Sequence, residues 1–577
     1  MSIDRFAWPR SRRPRRSSPV WSLLAALVAF TASIPATLRA QSDGASGSDR
    51  HVHSAAEKLG AVSFPNSGAR AAQSDFLRGL ALLHNFEYDG ASRAFRAAEQ
   101  RDSTFAMAYW LDALTFSHML WGEEDLSKAR ATLARLAPTP VSRLVRAKTP
   151  RELAYGAAVE AFFADTDEST RAHAFADSMR AVAAAYPKDL EAQAFASLAI
   201  MLAAEHTNSL GEANKLFLSA ASYAERVFRA QPNHPGAAHY LIHAYDDPAR
   251  AAKGLTAARA YARIAPSAEH AQHMPSHIFV QLGLWDDAVH SNEKAWASSR
   301  SRVAAEHGPA TDLDFHTLNW LAYSYLQQGR YRAARALVDT AHLVLARADL
   351  TGVDQPDARY AVSQLQFKYM RETGDWNAWP TVDFDTTELH LPPTATFRAQ
   401  SMAGAHVLET AIVLAMRGDT VPVSFVAHRL RDQVARRGAK ASPAERVRAA
   451  TFDAVLSRAR GDIDDAISLL SGAEAAADSV PPIGPVNLLP VHELLGSLLS
   501  DAGRYARAAV AYKRALAFAP NRSSALLGLA RAEQQSQNAP ASQQAYARLK
   551  ANWSRADADL LKQLAASRDR LTSRSRD

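Results

Sequence analysis

Residues 492–520 read HELLGSLLSDAGRYARAAVAYKRALAFAP, and the spacing inside this stretch constrains the fold more than anything else in the chain. With Leu489 as position one of a unit about 34 residues long, Leu495 and Gly496 fall in a first helix. Gly503 then falls at a turn and Tyr505 just after it. Ala508, Tyr512 and Ala515 fall in a second helix, and Pro520 closes the unit. The pattern has a packing logic. Small Gly and Ala positions let the two helices approach, large side chains fill the gaps between them, and proline stops the second helix. Helices this short are marginal alone in water, so each unit must bury its apolar face against its neighbours.

The same frame recurs. Residues 72–105 fit it through Gly79, Ala91, Phe95 and Ala98, and 106–139 follow directly. Residues 235–268 end on Pro266, 269–302 carry Gly283, Trp285, Ala288 and Ala295, and 315–348 carry Gly329, Tyr331 and Ala334. Residues 447–480 carry Gly461, Ala466 and Ala473, and 523–556 form a poorer last unit. Stretches near 149–234 and 360–437 read as diverged helix pairs, and PTVDFDTTELHLPPTATF (380–397) breaks the helical pattern and reads as a long loop. Almost nothing alternates like a strand. The unit closely resembles a tetratricopeptide repeat, which implies an all-α, right-handed α-solenoid of roughly ten to twelve helix pairs. The expected layout is an N-terminal superhelix over 71–348, diverged pairs with a long loop over 349–440, and a C-terminal array over 441–577.

Two ends of the composition argument narrow the function. The chain carries a formal charge of +7, but its first forty residues hold seven arginines against Asp4 alone, so the remainder is nearly neutral. Nothing there points to nucleic acid. The arginine-rich start precedes an apolar run, Val20 to Phe30, then Pro35 and Ala40 before QSDGASGSD. That is the layout of a secretory signal peptide over 1–40, too short to span a bilayer stably. The expected destination is the periplasm or the exterior, with 41–70 as a flexible lead-in rich in Ser, Gly and Ala. The chain has no cysteine, which excludes disulfides, thiolate ligands and cysteine nucleophiles. No Ser-His-Asp motif, phosphate-binding glycine loop or nucleotide fingerprint is present either.

The residues most in need of explanation are histidines. HPGAAHYLIHAYDD and HAQHMPSHIF place six of the chain's 20 histidines between 234 and 277. In the repeat frame His239 and His243 occupy positions 5 and 9, and His273 and His277 occupy the same positions of the next unit. His270 and His316 sit at position 2, Asp246 and Asp247 at 12 and 13, and His84 and His118 both at 13. Positions 2, 5, 9, 12 and 13 share one helix face. The repeat rule does not ask for histidine there. Trp110, at position 5, joins His84 and His118 as a second candidate patch, whereas Glu123, Glu124 and Asp125 read as the acidic opening of a helix. His234, ahead of Pro235, reads as a helix-entry residue.

HNFEYDGASRAFRAAE, AYWLDALTFSHMLWGEED, HPGAAHYLIHAYDDP and HAQHMPSHIFVQLGLWDD together resemble a group of exported bacterial tetratricopeptide proteins, over about residues 72–300. In such proteins this helix face lines a concave groove where ligands bind. The resemblance thus implies a scaffold whose groove holds a peptide, protein or small ligand on His84, Trp110, His118, His239, His243, Asp246, Asp247, His270, His273, His277 and His316. It names no reaction. The alternative is a metal-dependent enzyme, a hydrolase, holding zinc or another divalent transition metal on His239, His243, His273, His277 and Asp247. Pro275 decides part of that geometry, because it either kinks the helix carrying His273 and His277 or opens it. A purely structural histidine network is the third reading, each ring packing at a helix interface.

Overall fold

In the computed structural model the described residues are 57–207, 209–350, 355–392, 395–480, 484–485 and 488–573. The segment read as a signal peptide lies outside them. Helix follows helix: Gln73–His84 with Tyr88–Arg101, Ala106–Leu114 with Leu126–Leu136, Pro150–Phe162 with Glu168–Ala185, Leu190–Glu205 with Leu210–Ala230. Pro235–Tyr245 pairs with Ala251–Ile264, and Phe315–Gln327 with Tyr331–Leu345. Between those pairs, Glu269–His273 and Pro275–Gln281 pack together on Trp285–Glu306. Pairing continues to Ser523–Gln535 with Ala539–Asn552. The chain is an all-α solenoid. The packing logic of the repeat is visible at its small positions. A Cβ on Gly79 would meet the Phe95 ring at 2.8 Å, and one on Gly496 would meet Tyr512 at 2.9 Å.

Helix starts are set by local chemistry. Asp189, Asp314 and Ser209 each accept a backbone N–H in the first turn of the helix that follows. His234 does the same with its ring, taking the Ala237 N–H on Nδ1 at 3.1 Å, ahead of Pro235 at the first helical position. It is indeed a helix-entry residue.

The array folds back on itself twice, and this departs from an open groove. At the N-terminal side the irregular stretch 58–69, expected to be part of a flexible lead-in, is packed down. Leu59 and Phe64 are buried, Ala61 N–H donates to Asn233 O, and the Asn85 side chain ties Leu59 O to the Tyr261 hydroxyl. This closure seats Gln73–His84 against Pro235–Tyr245. At the C-terminal side, Trp285 donates to Asn521 O, Ser523 N–H to Gln327, and buried Arg522 bonds Tyr323, Glu372 and Glu493. The interior divides into one apolar core from Leu59 to Ala288, joined by Trp320 and Tyr323, and a second from Val289 to Leu564.

One stretch expected to be helical is not. After Leu114 the chain makes a small antiparallel ladder, Ser117 opposite Glu124 and His118 opposite Glu123. The turn between them uses left-handed backbone at Leu120 and Gly122. Only Asp125 opens the following helix, accepting Lys128 N–H; Glu123 and Glu124 belong to the ladder.

Candidate functional site: two histidine triads

The two motifs converge where the cores meet. His239, His243 and His270 bring one ring nitrogen each to a common point, and so do His273, His277 and His316. Within each triad the three nitrogens lie within 4.8 Å of one another. His239 Nε2 is 3.1 Å from both His243 Nε2 and His270 Nε2, and His273 Nε2 is 3.1 Å from His277 Nε2. The triads are neighbours, with the His243–His277 and His270–His273 ring centroids each 6.2 Å apart. Pro275 kinks the helix without opening it. Met274 keeps right-handed helical angles and its N–H still reaches His270 O at 3.0 Å, so the i,i+4 pair survives.

What the far side of each ring touches decides its protonation. His239 Nδ1 lies 2.8 Å from the carbonyl of His84, which can only accept. His277 Nδ1 lies 2.7 Å from the Asp246 carboxylate, whose other oxygen accepts Gln281. His273 Nδ1 lies 2.7 Å from Asn292 Oδ1, and the Asn292 amide is oriented by its own donation to Ala288 O. All three rings therefore carry a proton on Nδ1, and on His239 and His273, where burial opposes a second proton, a bare Nε2 turns inward. Burial pushes His239 and His270 well below the usual histidine range, His243 down to about 3 and His273 to about 4, with the neighbouring histidines adding to the shift. Burial also leads the lowering of His316, helped by His273 and by Arg398. For Asp246 burial works against ionisation, yet the adjacent His277 holds its carboxyl below the ordinary range.

Two imidazole nitrogens 3.1 Å apart need a proton or a metal cation between them, and one lone pair of His239 is poorly placed to accept from two rings at once. Three nitrogens bonded to one ion at about 2.0–2.1 Å in tetrahedral geometry sit roughly 3.3 Å apart. Three of the contacts, at 3.1 Å, are close to that spacing, and the remaining pairs lie within 4.8 Å. Every pinned ring also has the hydrogen-bond partner on its outer nitrogen that metal-bound histidines use for orientation.

A third cluster makes the contrast. His84, His234 and Glu191 are fully buried together. Here protons satisfy the contacts: His84 Nε2 donates to Glu191 at 2.7 Å, and the Tyr240 hydroxyl donates to His84 Nδ1 at 2.8 Å. His234 spends Nδ1 on its helix cap, so its Nε2–H faces Glu191 at 3.3 Å. Burial opposes charge on Glu191, but the two histidines hold its carboxyl far below the usual range. This network holds the N-terminal closure, and Gly236 makes room for it, since a Cβ there would meet His84 Nδ1 at 2.6 Å.

Several expected groove residues are placed differently. Trp110 is wholly buried against Gly156, its indole bonded to Glu160, so it is a core residue. His84 offers the triads its backbone carbonyl rather than its ring. His118 sits on the ladder, not a helix, with Nδ1 3.1 Å from Glu123 and its ring stacked on Tyr88. Asp247 is not a ligand. The helix ends at Tyr245, and Asp247 turns away to accept Ala249 N–H and face Arg250. The metal set expected from sequence did not include His270 and His316, whose ring nitrogens lie beside those of the other four histidines.

Other contributors carried no histidine signal. Phe86 adopts left-handed backbone, φ 57°, and presses its ring on His239 at 4.3 Å and on His270 at 5.6 Å. Glu87 accepts the His270 N–H, and burial and nearby Glu269 push its carboxyl up to about 7. Trp320 stacks on His277 at 4.2 Å and Tyr261 on His239 at 5.1 Å. The HNFEYD motif was legible as unusual, but only the closure reveals that it buttresses the first triad.

A cavity of about 900 Å³ opens beside the triads. His316 and Trp320 of the helix Phe315–Gln327 line it, together with His118 and Trp121 of the ladder turn. Trp121 also packs its ring 5.4 Å from His270. The cavity lining is acidic on balance: Glu123, Glu124, Glu168, Glu205 and Asp357 face Arg398 and Lys368, and Arg398 pairs with Asp357 and Glu123.

No protein-family model matches the chain, and no curated protein does. Among solved structures it is similar to the Naa15/Naa10 complex bound to HypK-THB, at 10% identity over 83% of this chain with a TM-score of 0.23. The chain spans 62% of the length of that structure's chain. It is also similar to yeast Tom70, at 11% identity over 88% of this chain and 96% of that one, with a TM-score of 0.29. The TPR domain of P58(IPK) aligns at 12% identity over 81% of this chain and 98% of its own, with a TM-score of 0.19.

Proposed function

We propose that this chain is an exported metalloprotein with a binuclear transition-metal centre, one ion on His239, His243 and His270 and the other on His273, His277 and His316. The repeat array is its scaffold, and the adjoining cavity admits a small molecule or a short peptide segment. One observation carries the reading. The Nε2 atoms of His273 and His277 face each other at 3.1 Å while both Nδ1 atoms are committed to acceptors. The chemistry of the donor set points the same way: imidazole suits Zn, Cu, Fe and Ni, whereas Mg, Ca and Mn call for oxygen.

The folding back of the array favours this reading over an open peptide-binding groove. Side chains at the expected groove positions are buried or half-buried, so what they can hold is an ion rather than an extended chain. Among the described residues no helix is long and apolar enough to cross a membrane. Thermal unfolding tests the proposal. A ligand that binds only the folded state at about 100 times its Kd adds roughly 2.7 kcal/mol, so a chelator-treated chain should gain several degrees with Zn or Cu. A His239→Ala/His273→Ala variant should gain nothing. Equal melting with and without every one of Zn, Cu, Ni and Fe would refute it.

A further inference from the structure

Resting on the reading of the cavity as the way in to the two triads, we propose that it binds a small zwitterion, an amino acid or a short peptide with both ends free, its ammonium on Glu205 and its carboxylate on Lys368.

Most of the charged side chains that line the cavity already have partners. Glu123 is held by His118 at 3.1 Å and by Arg398 at 3.4 Å, and Asp357 by Arg398 at 2.7 Å. Glu124 accepts from both terminal nitrogens of Arg171 at 2.7 Å, and His206 stands 3.5 Å from Glu168. Glu205 and Lys368 are left. Neither makes a side-chain hydrogen bond or an ion pair among the described residues. Lys368 is 1% exposed, so water does little for its ammonium. A charge held out of water without a partner is costly. The two are of opposite sign, and a lone anion or a lone cation in the cavity would satisfy only one of them. A zwitterion satisfies both.

Each end has surroundings that suit its ligand group. Glu205 is the last residue of the helix Leu190–Glu205, at the negative pole of the helix dipole, where a cation is favoured. Desolvation, and then the Glu168 charge, push its carboxyl up to about 7, so an arriving ammonium displaces its proton. Lys368 lies on Pro356–Thr373 and feels Glu409 as its main opposing charge, but burial pushes that carboxyl up, toward its neutral form. Burial also pulls the Lys368 ammonium below the ordinary lysine range, which a ligand carboxylate beside it would reverse. The ends have an order as well. The Lys368 charge opposes protonation of His316, whereas the Glu205 charge is felt at Tyr88, on which His118 stacks. The carboxylate end therefore lies toward the second triad and the ammonium end toward the ladder. Trp121 and Trp320 give the cavity apolar wall for side chains, and about 900 Å³ has room for a short peptide.

The test is isothermal titration calorimetry on the chain from residue 41 onward, chelator-treated and zinc-loaded. The probes are alanine, Ala-Leu and Ala-Leu-Ala, each also in N-acetylated and C-amidated form. At least one free-ended probe should bind with a Kd below about 1 mM. Acetylation should weaken that probe at least about tenfold, and so should amidation. These comparisons use the unaltered chain, so they stand whether or not a variant folds. Glu205→Gln should lose the discrimination against acetylation and keep that against amidation, and Lys368→Met should do the reverse. Failure of every free-ended probe to bind, or binding that tolerates both blocked ends, would overturn the inference; zinc still bound in that sample would leave the binuclear reading intact. A free-ended probe bound by a chain that retains no metal would do the opposite, sinking the binuclear reading and sparing this one.

Discussion

His273 and His277 meet Nε2 to Nε2 at 3.1 Å across the kink at Pro275, each with its outer nitrogen donating to a fixed acceptor. The acceptor behind His277 is Asp246, so Asp246→Asn should loosen the second triad alone. Loss of such an orienting partner typically weakens metal affinity about 10–100-fold. Competition with a calibrated chelator should show one of two bound ions weakened by that much and the other unchanged. Equal weakening of both would contradict separate triads.

Acid should destabilise the metal-free chain. His243 and His273 are held near 3 and 4 in the folded state against 6.5 for a free ring. Their folded values are depressed, so the unfolded chain binds more protons below 6.5. The stability is complete above that value and falls as pH drops toward 4, by about 1.4 kcal/mol per pH unit for each such ring. Urea melts of chelator-treated protein between pH 7.5 and 4.5 measure this, and a flat profile would count against the buried neutral cage.

Gly236→Ala places a methyl 2.6 Å from His84 Nδ1, inside the network that holds the N-terminal closure. Overpacking of this kind costs about 1–3 kcal/mol. Because the His84 carbonyl orients His239, the same variant should weaken metal binding at the first triad. Chemical denaturation and metal titration of one preparation check both halves.

Arg522 is 3% exposed and bonds Glu372, Glu493 and Tyr323 at the second closure. Arg522→Ala removes the cation that Glu372 and Glu493 share, leaving Glu372 to Arg371 and Gln327 and Glu493 to Ser524, a loss of about 3 kcal/mol. Native-state hydrogen exchange should locate the loss in the C-terminal repeats. A destabilisation under 1 kcal/mol would show that water replaces the arginine there.

The 34-residue frame was enough to stack His239 with His243 and His273 with His277, because position and helix face follow from the same period. It also put His270 and His316 on that face, though nothing in the spacing says they complete triads. Where the frame failed, an element ended early. The helix stops at Tyr245, so Asp246 turns back to His277 and Asp247 turns away; the helix stops at Leu114, so His118 rides a strand. What could not be read at all comes from closure. The His84 carbonyl is 155 residues from the ring it orients, and Phe86 reaches the first triad only because the array folds back. Asn292 looks like an ordinary position on a long helix until its amide is seen on His273.

The most direct test is elemental analysis of the chain from residue 41 onward, purified without a histidine tag, beside His239→Ala, His273→Ala and the double variant. The account predicts two transition-metal ions per chain, one in each single variant and none in the double. Metal below a tenth of an equivalent in every sample, after exposure to Cu and Zn, would contradict it.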